Sequence, residues 1–278
     1  MKKLFPLLFL LIISCAKEEV IVDEFADCRE AIANYEVSMA DPETGLIEFD
    51  IIPPKNGKAS VTSNADLLWD KGIVPYVIKG SEPCTINGVS GTCVGFNREE
   101  DKAKIRNALA ELSKDTGILF PEYETVEALK KEHKDGVQII SGFASSSSYL
   151  GKKGGMQVLK LAFGLKSAVI KHEFLHALGL NHEFTRKDRD EYVDIFFENI
   201  PERMHRQFDI KSEATDCGEF DFNSVMMYGS FEISKDSTKT EMTKKDGSTF
   251  ERGADLSEGD ISSVKALYED KFKERNQH

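Results

Sequence analysis

The sequence lacks a hydrophobic run long enough to cross a bilayer as a helix. Its mostly apolar stretch Leu4 to Ile13 has ten residues, whereas a membrane-spanning helix needs about 20. It also lacks internal repeats and any glycine motif that cradles phosphates. Acidic residues outnumber basic ones, 48 to 36, and the net charge of −12 disfavours nucleic acids and anionic membrane surfaces as partners. The sequence therefore gives no support for a membrane-spanning, repeat, nucleotide-binding or nucleic-acid-binding protein.

Histidine is scarce but concentrated. The chain has six histidines, and three of them lie in the eleven residues from His172 to His182. On a helix, His172 and His176 project from one face about one turn apart and can occupy two corners of a zinc tetrahedron. Gly179 can adopt the left-handed conformation that ends a helix, which lets His182 reach a third corner. The fourth corner is left for water, and Glu173 can accept a proton from it, so the pattern predicts a catalytic zinc site.

These eleven residues match the zinc signature of the metzincin metallopeptidases. The following segment, 183–190, resembles the extension that marks the astacin family within that clan. Downstream, Ser224-Val225-Met226-Met227-Tyr228-Gly229 resembles the methionine turn of metzincins. By this resemblance, Met226 forms the apolar floor under the metal, and Tyr228 places its hydroxyl near the zinc to stabilise the oxyanion. The sequence departs from the family at Met227, where astacins usually carry a histidine.

The resemblance implies an α+β fold of the astacin type. We expect a twisted, mostly parallel sheet with an antiparallel edge strand, two long helices above a substrate cleft, and a smaller irregular lower subdomain with a C-terminal helix. The catalytic domain is expected over residues 61–278. In the family, the buried mature amino terminus, here near residue 60, pairs with the glutamate after the third histidine, which is Glu183.

The implied function is that of a monomeric zinc endopeptidase. One catalytic zinc ion would activate water, with Glu173 as the base, to hydrolyse peptide bonds of protein or peptide substrates. The alternative is a surface-binding or adhesin lipoprotein on an astacin scaffold that has lost catalysis. The intact Glu173, Tyr228 and three histidines argue against that alternative.

The first residues predict export. Lys2 and Lys3 precede the apolar run, so residues 1–14 are expected to be a signal peptide. Ile12-Ile13-Ser14-Cys15 resembles the bacterial lipobox, in which Cys15 would be lipidated; the alternative is an ordinary secretory signal with an incidental cysteine. We expect transfer across the inner membrane and a lipid anchor at the outer membrane or cell surface as the sole membrane contact. Whether cleavage of the pro-segment releases the enzyme from the membrane stays open.

Residues 15–60 predict a lipidated tether and an inhibitory pro-segment. Its Pro/Gly-rich end, 51–58, suits an exposed loop that an activating protease could cut. Astacins are held latent by an aspartate in a Phe-x-Gly-Asp motif, whereas this chain has Phe25-Ala26-Asp27-Cys28. We hypothesise that Cys28 caps the zinc in the precursor, because a thiolate is a better zinc ligand than a carboxylate. Asp27 as the ligand and a Cys28–Cys217 disulfide are the alternatives.

Two further features concern strands. The segment 148–157 matches the edge strand of the family, and Gly154, Gly155 and Met156 are expected to pair with an extended substrate; the alternative is a plain solvent edge. Cys84 and Cys93 flank turn-forming residues and predict a disulfide across a hairpin.

Two amphipathic helices are also predicted. The first covers 97–116, with Ile105, Leu109 and Leu112 on its apolar face. The second, from Asp260 to about Lys273, begins at a cap formed by Ser257.

Overall fold

The computed structural model describes residues 51–52 and 65–277, apart from 87–88, 94, 143–144, 213 and 215; of 51–52, 65, 82–86 and 89–93 it describes the backbone alone. The described chain forms two units, the hairpin 82–93 and the remainder. The predicted signal peptide, Cys15, Asp27 and Cys28 lie outside the described residues. Within the described part of the chain, no helix is long and apolar enough to cross a membrane.

The strands and helices have the following bounds. The strands are β1 (Ile51–Ile52), β2 (Tyr76–Ile78), β3 (Glu82–Ile86), β4 (Val89–Cys93), β5 (Gly136–Ser141), β6 (Ser148–Tyr149), β7 (Met156–Leu161), β8 (Val193–Ile195) and β9 (Met242–Lys244). The α-helices are α1 (Glu99–Thr116), α2 (Val126–Glu132), α3 (Ser167–Leu178), α4 (Glu258–Leu267) and α5 (Glu269–Asn276). Short 3-10 turns connect several of these elements, including Glu183–Thr185 and Glu202–Phe208.

The central sheet is parallel, in the order β2-β5-β7. β6 lies beside β7 and runs antiparallel to it through the bridge between Ser147 and Lys160. The astacin-like α+β architecture, with its mostly parallel sheet and antiparallel outer strand, is therefore confirmed.

The prediction of one continuous strand over 148–157 is wrong, whereas the pairing of Gly154, Gly155 and Met156 with substrate stays a prediction. Gly154 and Gly155 lie in the loop between β6 and β7, and both have positive φ angles, 86° and 73°. Met156 begins β7, where its register partner is Gly136 of β5. Positive φ angles interrupt a strand, so the segment 148–157 forms two strands joined by a glycine turn. The outer strand is β6, and β1 pairs with it in parallel.

The two long helices, α1 and α3, pack on each other. α1 buries Ile105, Ala108, Leu109 and Leu112, the one-sided spacing expected of an amphipathic helix. It begins two residues later than predicted and ends at Gly117, whose φ of 83° closes the last turn. In α3 every residue from Ile170 to Leu178 is buried, so this helix runs through the interior.

A helix that ends in the interior needs partners for its last carbonyl groups. In α3 these partners come from distant segments. The indole Nε1 of Trp69 donates to Ala177 O at 2.8 Å, and the Tyr268 hydroxyl donates to Leu178 O at 2.9 Å. Gly151 N donates to His176 O at 2.8 Å. The carboxyl end of α3 is thus fixed by the first, middle and last parts of the described chain.

Two apolar clusters include residues of the histidine motif or next to it. The larger cluster includes residues of the sheet, α1, α3 and α4, and Met226 belongs to it. The second cluster is built from loops and short turns and contains Phe184, Phe208, Met227 and Tyr228. The segment 226–228 therefore contributes to both clusters.

The C-terminal helix differs from its prediction. The cap is confirmed: Ser257 Oγ accepts from Asp260 N at 3.0 Å, and the Asp260 carboxylate accepts from Ser257 N at 3.0 Å. The predicted single helix is instead α4 and α5, separated at Tyr268. Since the Tyr268 hydroxyl is bound to the end of α3, a long-range contact accompanies this break.

The hairpin of β3 and β4 contains both cysteines of the predicted disulfide. The backbone register places Cys84 opposite Gly91 and Cys93 opposite Glu82. The two cysteines are therefore not directly opposed, and their disulfide stays a prediction.

Candidate metal centre

The three histidines of the motif converge. His172 and His176 come from α3, and His182 follows the turn at Gly179, whose φ is 108°. The Nε2 atoms of His176 and His172 are 3.1 Å apart, and those of His176 and His182 are 3.2 Å apart. Ligand atoms at the corners of a zinc tetrahedron with bonds of 2.0–2.1 Å would be about 3.3–3.4 Å apart. The three rings thus nearly match the spacing of one zinc site.

Hydrogen bonds on the other side of two rings fix their tautomers. His172 Nδ1 lies 2.9 Å from Val225 O, and His176 Nδ1 lies 2.8 Å from Leu180 O. A carbonyl can only accept, so each Nδ1 carries the proton and each Nε2 presents its lone pair. Lone pairs converging at this distance repel one another unless a cation lies between them. The donor set therefore fits Zn²⁺, for which neutral imidazole is a preferred ligand.

Glu173 follows the first ligand on α3, and only 2% of its surface is exposed. A buried carboxylate is shielded from bulk water, which strengthens its interaction with a nearby cation or proton donor. The position and chemistry suit a general base for a water molecule at the open metal corner.

Tyr228 lies against the histidines. Its ring centroid is 4.8 Å from that of His182 and 6.5 Å from that of His172. The Arg252 guanidinium lies over the same ring, 4.8 Å from its centroid, and Arg252 is ion-paired with Glu232 at 2.8 Å. Glu232 also accepts from Gly229 N at 2.9 Å. The tyrosine ring therefore contacts an imidazole and a guanidinium that is itself ion-paired.

The methionine turn lies behind the histidines. Met226 is 2% exposed and belongs to the apolar cluster that includes α3. Its carbonyl accepts from Glu183 N at 3.0 Å. Met227, which replaces the usual histidine of the family, is fully buried in the second apolar cluster, so the substitution adds to the core.

Glu183 faces a small cavity of about 80 Å³ lined by His182, Met226, Asp221 and Asp260 among others. Its carboxylate accepts from Asp221 N at 2.9 Å and lies 3.3 Å from the Arg186 guanidinium. Burial raises the pKa of Glu183 to about 7, although the Asp221 N–H and Arg186 act in the opposite direction. An additional cation in this cavity would stabilise the charged carboxylate.

The structure thus brings together His172, His176, His182, Glu173, Tyr228, Met226, Gly179 and Glu183, as the sequence predicted. Gly154 and Gly155 lie in a loop and Met156 begins β7, so none of the three belongs to β6. Sequence reasoning missed Arg252, and it recognised Asp260 only as a helix cap. Neither residue belongs to a local motif of the site, so only the fold reveals their contacts.

Comparison with known proteins agrees with this geometry. The sequence profile of the peptidase family described as Astacin matches residues 61–269. The low choriolytic enzyme of Oryzias latipes is 33% identical over 236 residues, which cover 81% of this chain and 77% of that protein. Flavastacin of Elizabethkingia meningoseptica is 38% identical over 231 residues, covering 83% of this chain and 46% of flavastacin.

A solved structure is also similar. It is high choriolytic enzyme 1, a hatching enzyme zinc-protease from Oryzias latipes, with a TM-score of 0.57 and 26% sequence identity. The alignment covers 76% of this chain and 94% of that structure. The similarity therefore extends over the fold that carries the three histidines.

Proposed function

The chain belongs to the astacin family and is an astacin-like zinc metalloendopeptidase with one catalytic zinc site, and we propose that it is made as an exported, latent precursor. The observation that carries the activity is the convergence of three buried imidazoles in a chain whose residues 61–269 match the family. As a peptidase it acts on proteins. An unbiased peptide library, digested with the pro-segment-free enzyme, tests the activity and reveals the subsite preference.

We assign the steps of hydrolysis to two side chains. His172, His176 and His182 would hold the zinc ion, which would supply a Lewis acid for the scissile carbonyl and a bound water with a pKa lowered towards ~7. Glu173 takes a proton from the attacking water and delivers it to the leaving amine. The Tyr228 hydroxyl donates a hydrogen bond to the oxyanion that develops on the carbonyl. The peptide bond and one water molecule thereby give a carboxylic acid and an amine.

We propose that the substrate binds along β6. This strand is followed by Gly151, whose N–H is bonded to the carbonyl of the zinc-helix residue His176, so the strand leads directly to the metal centre. One side of the strand region is used by the antiparallel bonds between Ser147 and Lys160. β1 pairs with this strand in the untrimmed chain; once β1 is removed, an extended peptide could form backbone hydrogen bonds with β6, which explains why a polypeptide would be recognised.

The pairing of β1 with β6 supports the proposal that the precursor is latent. Ile51 and Ile52 of β1, within the predicted pro-segment, lie beside Ser148 and Tyr149 in parallel register. A substrate needs the same backbone groups of β6, so the two cannot pair with this strand at the same time. The pro-segment would then compete directly with substrate, and the proposed Cys28 cap would act on the metal as well.

Replacing Cys28 with serine tests the cap. We expect the untrimmed precursor to become more active by about tenfold or more, because a hydroxyl is a much weaker zinc ligand than a thiolate. Cys217→Ser is the matched control, since Cys217 is a free cysteine among the described residues. Equal activation by both substitutions would indicate a Cys28–Cys217 disulfide, and activation by Asp27→Asn alone would assign the cap to Asp27. An inert Cys28→Ser precursor would contradict the hypothesis.

We propose that the mature amino terminus binds to the carboxylate of Glu183. An ammonium group at the end of a chain trimmed near residue 60 would pair with this buried carboxylate and offset its desolvation. We therefore expect Glu183→Gln to lower the melting temperature of the trimmed enzyme and to leave that of the precursor within about 2 °C of wild type. Equal effects on both forms would contradict the pairing. Arg206→Gln, a substitution outside this cavity, is the control.

We further propose that Cys15 is lipidated and anchors the precursor at the outer membrane or cell surface. The basis is the sequence 12–15 after an apolar run. Intact mass spectrometry of the membrane-bound and the released protein measures the acylation of Cys15 and the position of the new amino terminus. A released form that begins near residue 60, and a membrane form that carries acyl chains on Cys15, are expected; an unmodified Cys15 would contradict anchoring.

A further inference from the structure

Asp260 has more hydrogen bonds than a helix cap requires. It lies in the first turn of α4, where its backbone N–H and carboxylate complete the capping box with Ser257. Its carboxylate also accepts from the Ser224 hydroxyl at 2.6 Å and from Val225 N at 2.9 Å. The side chain is 4% exposed. Two of its three accepted hydrogen bonds therefore come from the methionine turn, 35 residues earlier in the chain.

The methionine turn also contacts the segments that carry the first and the third zinc ligand. Val225 O accepts from Nδ1 of His172, the first ligand, at 2.9 Å. Met226 O accepts from Glu183 N, the residue directly after the third ligand, at 3.0 Å. Within the turn, Ser224 Oγ accepts from Met226 N at 3.0 Å. The backbone N–H and carbonyl of Val225 thus lie between the Asp260 carboxylate and the imidazole of His172.

We propose that Asp260 is a positioning residue for the zinc ligands. All three partners of its side chain are donors, so the site requires a group that only accepts hydrogen bonds. The carboxylate holds the backbone of Val225 through its N–H, and the carbonyl of the same residue fixes the ring orientation and tautomer of His172. Partners of this kind commonly change metal affinity by about 10–100-fold when they are lost. The inference depends on the zinc site alone and not on latency, export or the assigned steps of hydrolysis.

Asp260→Asn is the most informative variant, because it keeps the size of the side chain but turns one acceptor into a donor. Ser257→Ala is the matched control: it removes the side-chain cap of α4 and leaves the contacts of Asp260 with Ser224 and Val225. Ser224→Ala is a second test variant, since it removes the bond to one carboxylate oxygen. Zinc affinity of the full-length chain is measured by competition with a chelator. The visible spectrum of the Co²⁺-loaded protein reports the ligand geometry.

We expect Asp260→Asn to weaken zinc binding by about 10-fold or more and to shift the Co²⁺ spectrum. Ser257→Ala should lower the melting temperature while zinc affinity and spectrum stay at wild-type values. If Asp260→Asn does not fold, Ser224→Ala tests the proposal instead. We expect this variant to bind zinc about threefold or more weakly than wild type. Zinc affinity within twofold of wild type in the folded test variant, together with an unchanged spectrum, would overturn the proposal. Failure of the wild-type chain itself to bind zinc would contradict the metal centre.

Discussion

We expect the Glu173→Ala enzyme to be nearly inactive while it still binds zinc. A positioned general base contributes about 10²–10⁴-fold to a rate, so kcat should fall by that factor. The three imidazoles are untouched, and Glu173 is not among the converging ligands, so the zinc content should stay at the wild-type level. Steady-state cleavage of a peptide found in the library screen measures kcat, and metal analysis of the same sample measures zinc.

The isosteric variant Glu173→Gln repeats this test without a change in side-chain volume. It keeps the volume of a side chain that is almost completely buried, so packing is preserved while the ability to accept a proton is lost. We expect both variants to lose activity to a similar extent. Retention of kcat within about threefold of wild type by either one would remove Glu173 from the mechanism.

The second large effect is expected for Tyr228→Phe. Removing one donor to an oxyanion typically slows turnover by about 10²–10³-fold. The ring itself should stay in place, because it packs on His182 and lies under the Arg252 guanidinium, and phenylalanine keeps both contacts. We therefore expect a loss of about 10²-fold in kcat with KM changed by less than about twofold.

Tyr123→Phe is the control for this substitution. The Tyr123 hydroxyl contacts Glu132 and His133 in another part of the fold, so its loss should leave kcat unchanged. A Tyr228→Phe enzyme whose KM rises while kcat is maintained would show that the hydroxyl binds substrate in the ground state. That result would contradict its role at the oxyanion.

The features predicted correctly from the sequence depend on short-range geometry. The spacing of His172 and His176 is set by one helical turn, and Gly179 determines how the chain turns back towards His182. The capping box of Ser257 and Asp260 is equally local. Such patterns keep their meaning wherever the segment lies in the fold, because helix geometry fixes the relation between residues three or four apart.

The features that were missed depend on contacts between distant segments. Whether Gly154 and Gly155 lie in a strand depends on how β7 pairs with β5, and the glycines instead take the positive φ angles of a turn. The C-terminal helix is divided at Tyr268, which contacts the carbonyl of Leu178, 90 residues earlier. The bond from Val225 to Asp260 uses a backbone N–H, which no side-chain motif reveals.

The proposed catalysis depends on three imidazoles that hold one metal ion. The most direct measurement is the zinc content of the purified full-length chain after removal of loosely bound metal, determined by elemental mass spectrometry. We predict about one zinc ion per chain in wild type and a large loss in a His176→Ala variant. A wild-type chain without a stoichiometric transition metal would contradict the central claim.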